Sequence, residues 1–338
     1  MRRLASRWRR LLARAGDDRA AALVTVLTMV SIMSALAVVV VDAASMSTRR
    51  TFNQTRMEQT QWYLMGAEAF AIGKLSELAR MREDAAIDQN AWLGRSFTFP
   101  LDDGAMEVSL RDGANCFNLN NVAQDIDGIG PAANPNGIMQ LARLLDLIGI
   151  RSDRAGLGAA LADWIDADMR PVPGGIEDGA YATGAPYRPA NTLLADMSEL
   201  RQVQGFNADI MARIEDYVCV RPTTAPNLLN PNTLTPDQAI LLSTVMPDLS
   251  VEEARQVIRD RPNGGWQDLD AFFMHPRIAG LEMNELRRAS FSMESAYVVM
   301  SARVTREGGR ESVVSLISIQ PGGSGHVVRR LFGVEQGL

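Results

Sequence analysis

The stretch A-A-A-L-V-T-V-L-T-M-V-S-I-M-S-A-L-A-V-V-V-V, residues 20–41, carries no charge along its length. At roughly 1.5 Å per residue it is long enough to cross a hydrocarbon core of about 30 Å. Residues 1–16 ahead of it hold six arginines and no acid. Such positive flanks stay on the cytoplasmic side, so the chain beyond residue 41 is expected outside. A cleaved secretory signal has an apolar core of only about 7–15 residues, closed by small residues such as Ala43-Ala44-Ser45 here. Residues 45–82 speak against cleavage at that point. They contain no proline and keep a helical spacing through Phe52, Trp62, Tyr63, Met65, Ala69 and Ile72. The fold is therefore read outward from a helix that leaves the membrane and continues as a stalk.

Charge narrows the partners. The net charge is −6, and setting aside the six leading arginines leaves about −12 on the remainder. An acidic exterior disfavours nucleic acid and anionic lipid and suits a cation. The length and an apolar fraction of 46 % allow a full core, in two compact units on the stalk. Cys116 and Cys219 form an even pair in a compartment that permits disulfides, which favours a bridge over two free thiols.

Beyond the stalk helix, which is expected to fade near residues 84–90, the period changes from 3.6 to 2. Residues 96–101 and 105–111 alternate around Asp102-Asp103-Gly104, a hairpin pattern. A second hairpin follows at 296–305 and 311–319 around Glu307-Gly308-Gly309. Between the hairpins, residues 137–149, 155–167, 209–218, 236–245, 251–260, 269–273 and 282–288 have helical spacing, with Pro and Gly as stops. An isolated two-stranded sheet is marginal. Both hairpins are therefore expected in one sheet against the stalk helix, with the helical block inserted between its strands. The Gly-rich residues 321–325 and the Arg-Arg-Leu-Phe segment after them read as a loosely held terminus.

The densest group of function-like residues lies at 162–200: Asp163, Asp166, Asp168, Glu177, Asp178, Asp196 and Glu199 against only Arg170 and Arg188. Hard cations such as calcium take six to eight oxygens, on loops with glycine at sharp turns. Asp166 and Asp168 lead from a helix end into a Pro/Gly loop, and Glu177-Asp178-Gly179 returns two more carboxylates. Acids at a helix C-terminus are unfavourable without a compensating cation. The alternatives are a solvated acidic loop and a glycosidase-like carboxylate pair, the latter poorly served by so few aromatic residues.

Other chemistry has little support. The histidines are His275 and His326 alone, and no H-E-x-x-H, Walker or G-x-G-x-x-G motif is present. Zinc finds too few ligands. Residues 228–261 resemble a helix-hairpin-helix unit, whose DNA-binding forms offer backbone amides to phosphate. Here the hairpin, Met246-Pro247-Asp248-Leu249-Ser250, has no glycine, lacks one amide and carries an acid, so a packing module is the better reading.

Taken in order, several motifs make the chain resemble the type II secretion minor pseudopilins of the general secretion protein K family. They are A-L-V-T-V-L-T-M-V (22–30), W-Y-L-M-G-A-E-A-F-A (62–71), C-F-N-L-N-N (116–121) and A-D-W-I-D-A-D-x-x-P-x-x-G-G-x-E-D-x-x-Y (162–181). Y-R-P-A-N-x-x-L-A-D-x-S-E-L (187–200), Y-V-C (217–219) and L-N-P-N-T (229–233) complete the set. The resemblance implies an α+β fold: a pilin-like transmembrane and stalk helix on a small antiparallel sheet, with a large all-α, SAM-like or helix-hairpin-helix-like insertion between strands. The corresponding divisions are a cytoplasmic leader (1–20), a transmembrane helix (21–41) and a periplasmic stalk (42–90). Sheet strands follow at 91–125 and 290–320, around an insertion at 126–289, acidic to 222 and helix-hairpin-helix-like from 223. A tail closes the chain at 321–338.

The resemblance further implies a Cys116–Cys219 bridge, calcium on Asp166, Asp168, Glu177, Asp178, Asp196 and Glu199, and no enzymatic activity. It implies a place at the pseudopilus tip with the I and J minor pseudopilins and with H, processing by prepilin peptidase, and contact with the inner-membrane assembly platform. Two features depart from the usual pilin pattern. The peptidase normally cuts after glycine, whereas cutting between Ala20 and Ala21 suits this apolar run better than cutting between Gly16 and Asp17. That cut puts Thr25 at mature position five, where most pilins carry glutamate; its absence is typical of the K family. Thr25, Thr28, Ser31 and Ser34 either pack against neighbouring membrane helices or bond back to their own helix. The competing functions are a membrane-anchored periplasmic hydrolase using the acidic loop and a helix-hairpin-helix DNA-binding competence protein.

Overall fold

Helix α1, Arg2–Met81, begins the chain in the computed structural model, which describes residues 2–81, 92–127, 130–151, 154–175, 187–226, 228–307, 309–320 and 323–334. The chain divides into two units, Met1–Trp62 and Tyr63–Leu338. In the first, the helix is long and apolar enough to cross a membrane, and its apolar side chains are exposed. Its small polar residues bond inward. Thr25 Oγ1 donates to the carbonyls of Ala21 (2.8 Å) and Ala22 (2.9 Å), Thr28 to Val24 (2.6 Å) and Ser31 to Leu27 (2.8 Å). Hydroxyls satisfied in this way sit in an apolar span without leaving an unpaired polar group.

In the second unit, Leu64, Ala67, Ala71 and Leu75 recur at helical spacing and form one buried stripe. The stripe packs on a five-stranded antiparallel sheet of β1 (Arg95–Leu101), β2 (Gly104–Asp112), β7 (Tyr297–Arg306), β8 (Gly309–Ile319) and β9 (Gly325–Phe332), in that spatial order. Alternation aims Val108 and Leu110 of β2, Val298, Met300, Ala302 and Val304 of β7, and Val313 and Ile317 of β8 at the helix. Each large side chain buried there contributes about 1.5–3 kcal/mol. Both expected hairpins form, and β2 pairs directly with β7, Val108 opposite Ala302, although residues 113–296 intervene.

Residues 325–332 correct one expectation. The supposed loose tail is β9, paired with β8. Its arginines hid the strand pattern, yet Arg330 turns inward. Glu68 of α1 is buried in the apolar stripe and accepts two bonds from Arg330 and one from Ser315 Oγ. An acid facing a sheet is tolerable when it is paired and hydrogen-bonded in this way.

The insertion starts at residue 113 rather than 126, and it is not purely helical. A parallel pair, β3 (Phe117–Asn118) with β6 (Val218–Cys219), and an antiparallel pair, β4 (Ala123–Ile126) with β5 (Gly130–Ala133), accompany the helices. Its separate apolar core includes α2 (Pro135–Leu147) and α3 (Arg154–Ile165). Helix α2 starts with Asn134 as N-cap and proline in its first turn. Gly137 lets it approach the Asn121 carbonyl, since a Cβ there would lie 1.9 Å from that oxygen. Further on, helices Ala239–Val245 and Val251–Arg259 flank the 246–250 hairpin. That hairpin is tied to protein at two points: Arg143 donates to the Pro247 carbonyl (2.8 Å), and Asp248 pairs with Arg287 (2.9 Å).

Candidate functional site

Helix α3 is rich in Ala and Gly and buried nearly all round, so it delivers its C-terminal residues into protein rather than into water. Asp163 and Asp166 are both buried there. Past the helix the chain is tied down by the Ala167 amide on the Pro131 carbonyl (2.9 Å). The exposed Asp168 then accepts the Arg170 amide (2.7 Å). Residues 171–175 fold back over α3. Asp163 Oδ1 accepts the Val172 amide (3.0 Å), and Gly175 lies so close that a Cβ would meet Asp163 Oδ2 at 2.0 Å. Only glycine fits that approach.

A second segment closes on the same helix end. The Asn191 amide donates to the Trp164 carbonyl (3.0 Å), with Asn191 at a left-handed φ of 49°. Its side-chain oxygen is buried and accepts no hydrogen bond among the described residues. A buried acceptor left this way costs about 1–3 kcal/mol, as does the unusual backbone angle. Sequence reading counted Asp163 in the acidic group without giving it a role and met Asn191 only as part of a motif; neither the φ value nor the burial is visible in the sequence.

The six expected calcium residues fall into three groups. Asp166 and Asp168 share the end of α3. Glu177 and Asp178 lie outside the described residues. Asp196 and Glu199 form a capping box on the short helix Met197–Gln202. Asp196 Oδ1 accepts the Ser198 amide (2.7 Å), while Glu199 Oε1 accepts the amides of Ala195 and Asp196 (2.8 Å each). Asp196 also pairs with Arg329 of β9. Capping engages Asp196 Oδ1 and Glu199 Oε1. Among the described residues no three His, Cys, Asp or Glu side chains converge as a metal shell. The donor chemistry still suits a hard cation: carboxylates and one amide oxygen, with no nitrogen or sulfur.

The motifs with asparagine have a different role from the acidic loop. Asn118 Nδ2 donates to the carbonyls of Thr223 (2.7 Å) and Ala225 (3.1 Å), and its oxygen accepts the Arg221 amide (3.1 Å). Asn120, fully buried, bonds both the amide and the carbonyl of Leu194 and also the Arg221 carbonyl. Asn232 clamps Trp266 at both its amide and its carbonyl. Beside Asn118, Cys116 and Cys219 form a disulfide with a Cα separation of 5.8 Å. At the other end of the chain, Ala20 and Ala21 lie within α1, and Gly16 and Asp17 belong to the part of that helix whose side chains lie outside the described ones.

These elements define a class: an α+β protein whose apolar N-terminal helix continues onto an antiparallel sheet split by a large insertion. Comparison with known proteins agrees. Residues 115–223 and 229–294 match the family described as type II secretion system, protein K. The type II secretion system protein K of Pectobacterium carotovorum subsp. carotovorum is 34 % identical over 257 residues, covering 75 % of this chain and 78 % of that protein. Its counterpart from Klebsiella pneumoniae is 31 % identical over 320 residues, covering 94 % and 97 %. In the crystal structure of the GspK-GspI-GspJ complex of the enterotoxigenic Escherichia coli type 2 secretion system, one chain superposes with a TM-score of 0.71 at 29 % identity. That match covers 84 % of this chain and 99 % of that one. The chain belongs to the type II secretion system protein K family, and its role is that of a minor pseudopilin in type II secretion.

Proposed function

We propose that this minor pseudopilin sits at the tip of the periplasmic pseudopilus, joins the I and J minor pseudopilins and H, and starts pseudopilus assembly. In this reading it is a structural subunit without catalysis. Prepilin peptidase removes residues 1–20 at the cytoplasmic face, and α1 enters the inner-membrane assembly platform with the folded unit in the periplasm. The observation that carries the proposal is the near-complete match to one chain of a GspK-GspI-GspJ complex. Thr25 fits a terminal subunit. A glutamate there would need a neighbour's amine in the membrane, whereas Thr25 is satisfied by its own helix. The helix pair 239–259 acts in this reading as a SAM-like packing module.

The acidic loop belongs to the same proposal. Asp166, Asp168, Glu177 and Asp178 are assigned as calcium ligands. Asn191 joins them through its buried oxygen, and Asp196 and Glu199 hold the neighbouring turn. Bound calcium would supply the positive charge that acids at a helix C-terminus lack. Asp166 and Asp168 would then be held together at the end of α3, tying the loop to the insertion core.

The test is co-expression of the tagged full chain with I and J pseudopilins, followed by purification in detergent and melting with and without chelator. Co-purification of both partners, with a melting temperature that chelator lowers and calcium restores, is the expected result. Failure to retain either partner overturns the tip assignment. A melting temperature indifferent to chelator, in wild type and in Asp168→Ala alike, overturns the calcium assignment.

A further inference from the structure

A cavity of about 440 Å³ opens where the chain leaves the sheet for the insertion. Its walls are the end of β2 (Arg111 to Gly113), the Cys116–Cys219 bridge, the segment from Glu215 to Arg221, and Arg329 of β9. Six of the lining residues are charged, and they are not equivalent. Glu215 and Asp216 are exposed at the rim. Arg329 is already paired with Asp196. Asp112 is committed: it accepts the Ala114 amide (2.7 Å) and the hydroxyls of Thr233 and Ser295.

Arg221 is different. Its side chain is among the largest of those fully buried, at 2 % exposure. Its Nη atoms donate to the carbonyls of Val220 (3.0 Å) and Gly113, and its guanidinium lies 5.2 Å from the Tyr297 ring centre. Nε has no hydrogen-bond partner, and no carboxylate accepts from this guanidinium among the described residues. Burial pushes its pKa down to about 10, the sign of a charge that its surroundings do not fully compensate. Buried charges are otherwise paired, and the pair a guanidinium favours is a carboxylate. The cavity beside it has the volume of a small-ligand site. Neutral carbonyls and one aromatic face orient Arg221, and the nearby Asp112 offsets part of its charge. The Asp112 oxygens are taken by other donors, so the guanidinium has no carboxylate hydrogen-bonded to it among the described residues.

We propose that this cavity is a carboxylate-binding site, in which Arg221 at the inner wall and Arg111 at the end of β2 receive the anion. The carboxylate comes either from a free organic acid or from a glutamyl side chain of a docked protein; the recognition chemistry is the same. The proposal does not rest on the calcium assignment, so it is tested at constant calcium.

The experiment melts the full chain in detergent in sodium succinate and in sodium chloride of matched ionic strength. It also measures binding of a labelled glutamyl pentapeptide against its glutaminyl analogue. Succinate is expected to raise the melting temperature saturably, by roughly 5 °C at a hundredfold excess over its dissociation constant. Arg111→Gln, at an exposed position, is expected to fold and to weaken the effect at least tenfold, and Arg221→Gln to abolish it where that variant folds. A response to succinate alone assigns a free acid, and preferential binding of the glutamyl peptide assigns a protein-borne one; both uphold the site. Equal melting in the two salts, with no preference between the peptides, overturns it. So does a succinate effect that Arg111→Gln leaves unchanged.

Discussion

The sheet and the insertion reach stability by different means. The sheet rests on regular ladders and an alternating apolar face against α1, with an ionic contact between buried Glu68 and partly exposed Arg330. The insertion has short helices and ladders of only two to four residues, so its backbone groups need other partners. Asparagine side chains supply them, reaching carbonyls and amides about a hundred residues away. The disulfide closes that same seam. A regular element satisfies its backbone internally, whereas an irregular one must recruit side chains to do so.

Four variants separate the two strategies, beginning with the largest effect. Replacing Cys116 and Cys219 by serine reopens a link across 103 residues, for a loss of roughly 5 kcal/mol by the chain-entropy estimate. Denaturant titration with hydrogen exchange is expected to show the loss first in the insertion; uniform loss across the sheet would break the comparison. Asn120→Ala leaves the Leu194 amide and carbonyl and the Arg221 carbonyl without their partner, at about 3 kcal/mol. A change below about 1 kcal/mol in the denaturation free energy would show that water replaces the side chain.

Glu68→Ala is expected to cost about 2 kcal/mol, less than a fully enclosed pair because Arg330 is partly exposed. Exchange should quicken in β9 before any other strand. Loss spread evenly over the sheet would deny Glu68 its role as the clamp on that strand. The smallest effect is at the Ser250 cap, and it depends on pH. The Ser250 side-chain hydrogen bond holds the Glu253 carboxyl below its usual range. That stabilisation is present above the unfolded value near 4.5 and fades as pH falls through the lower folded value. Ser250, the N-cap of helix Val251–Arg259, also accepts the Glu253 amide, so Ser250→Ala should differ most from wild type near neutrality and the gap should narrow in acid. A pH-independent gap in thermal melts would assign the effect to the cap on the Glu253 amide alone.

Much of the architecture was legible in the chain. Both hairpins, the stalk and most of the helical segments follow from period and punctuation, because each is a local pattern. Strand β9 was not, since an arginine on its inward face breaks the alternation, and only the distant Glu68 explains it. The start of the insertion was missed for a similar reason: β3 is two residues long and pairs with β6 across the length of the acidic region. At the acidic site, the sequence marked the carboxylates but not their division of labour. The capping hydrogen bonds of Asp196 and Glu199 are seen only in the structure, and Asn191 did not stand out until its φ and its buried oxygen were known.

The apolar helix, the alternating strands, the helical block between them and the family can all be read along the chain, because they are written in neighbouring residues. Tertiary structure alone decided which polar groups were already satisfied. It showed Glu68 answering Arg330, and Arg221 lying beside a cavity with no carboxylate hydrogen-bonded to it among the described residues. Whether a polar group is satisfied depends on what surrounds it in space, and those surroundings come from residues far apart in the chain.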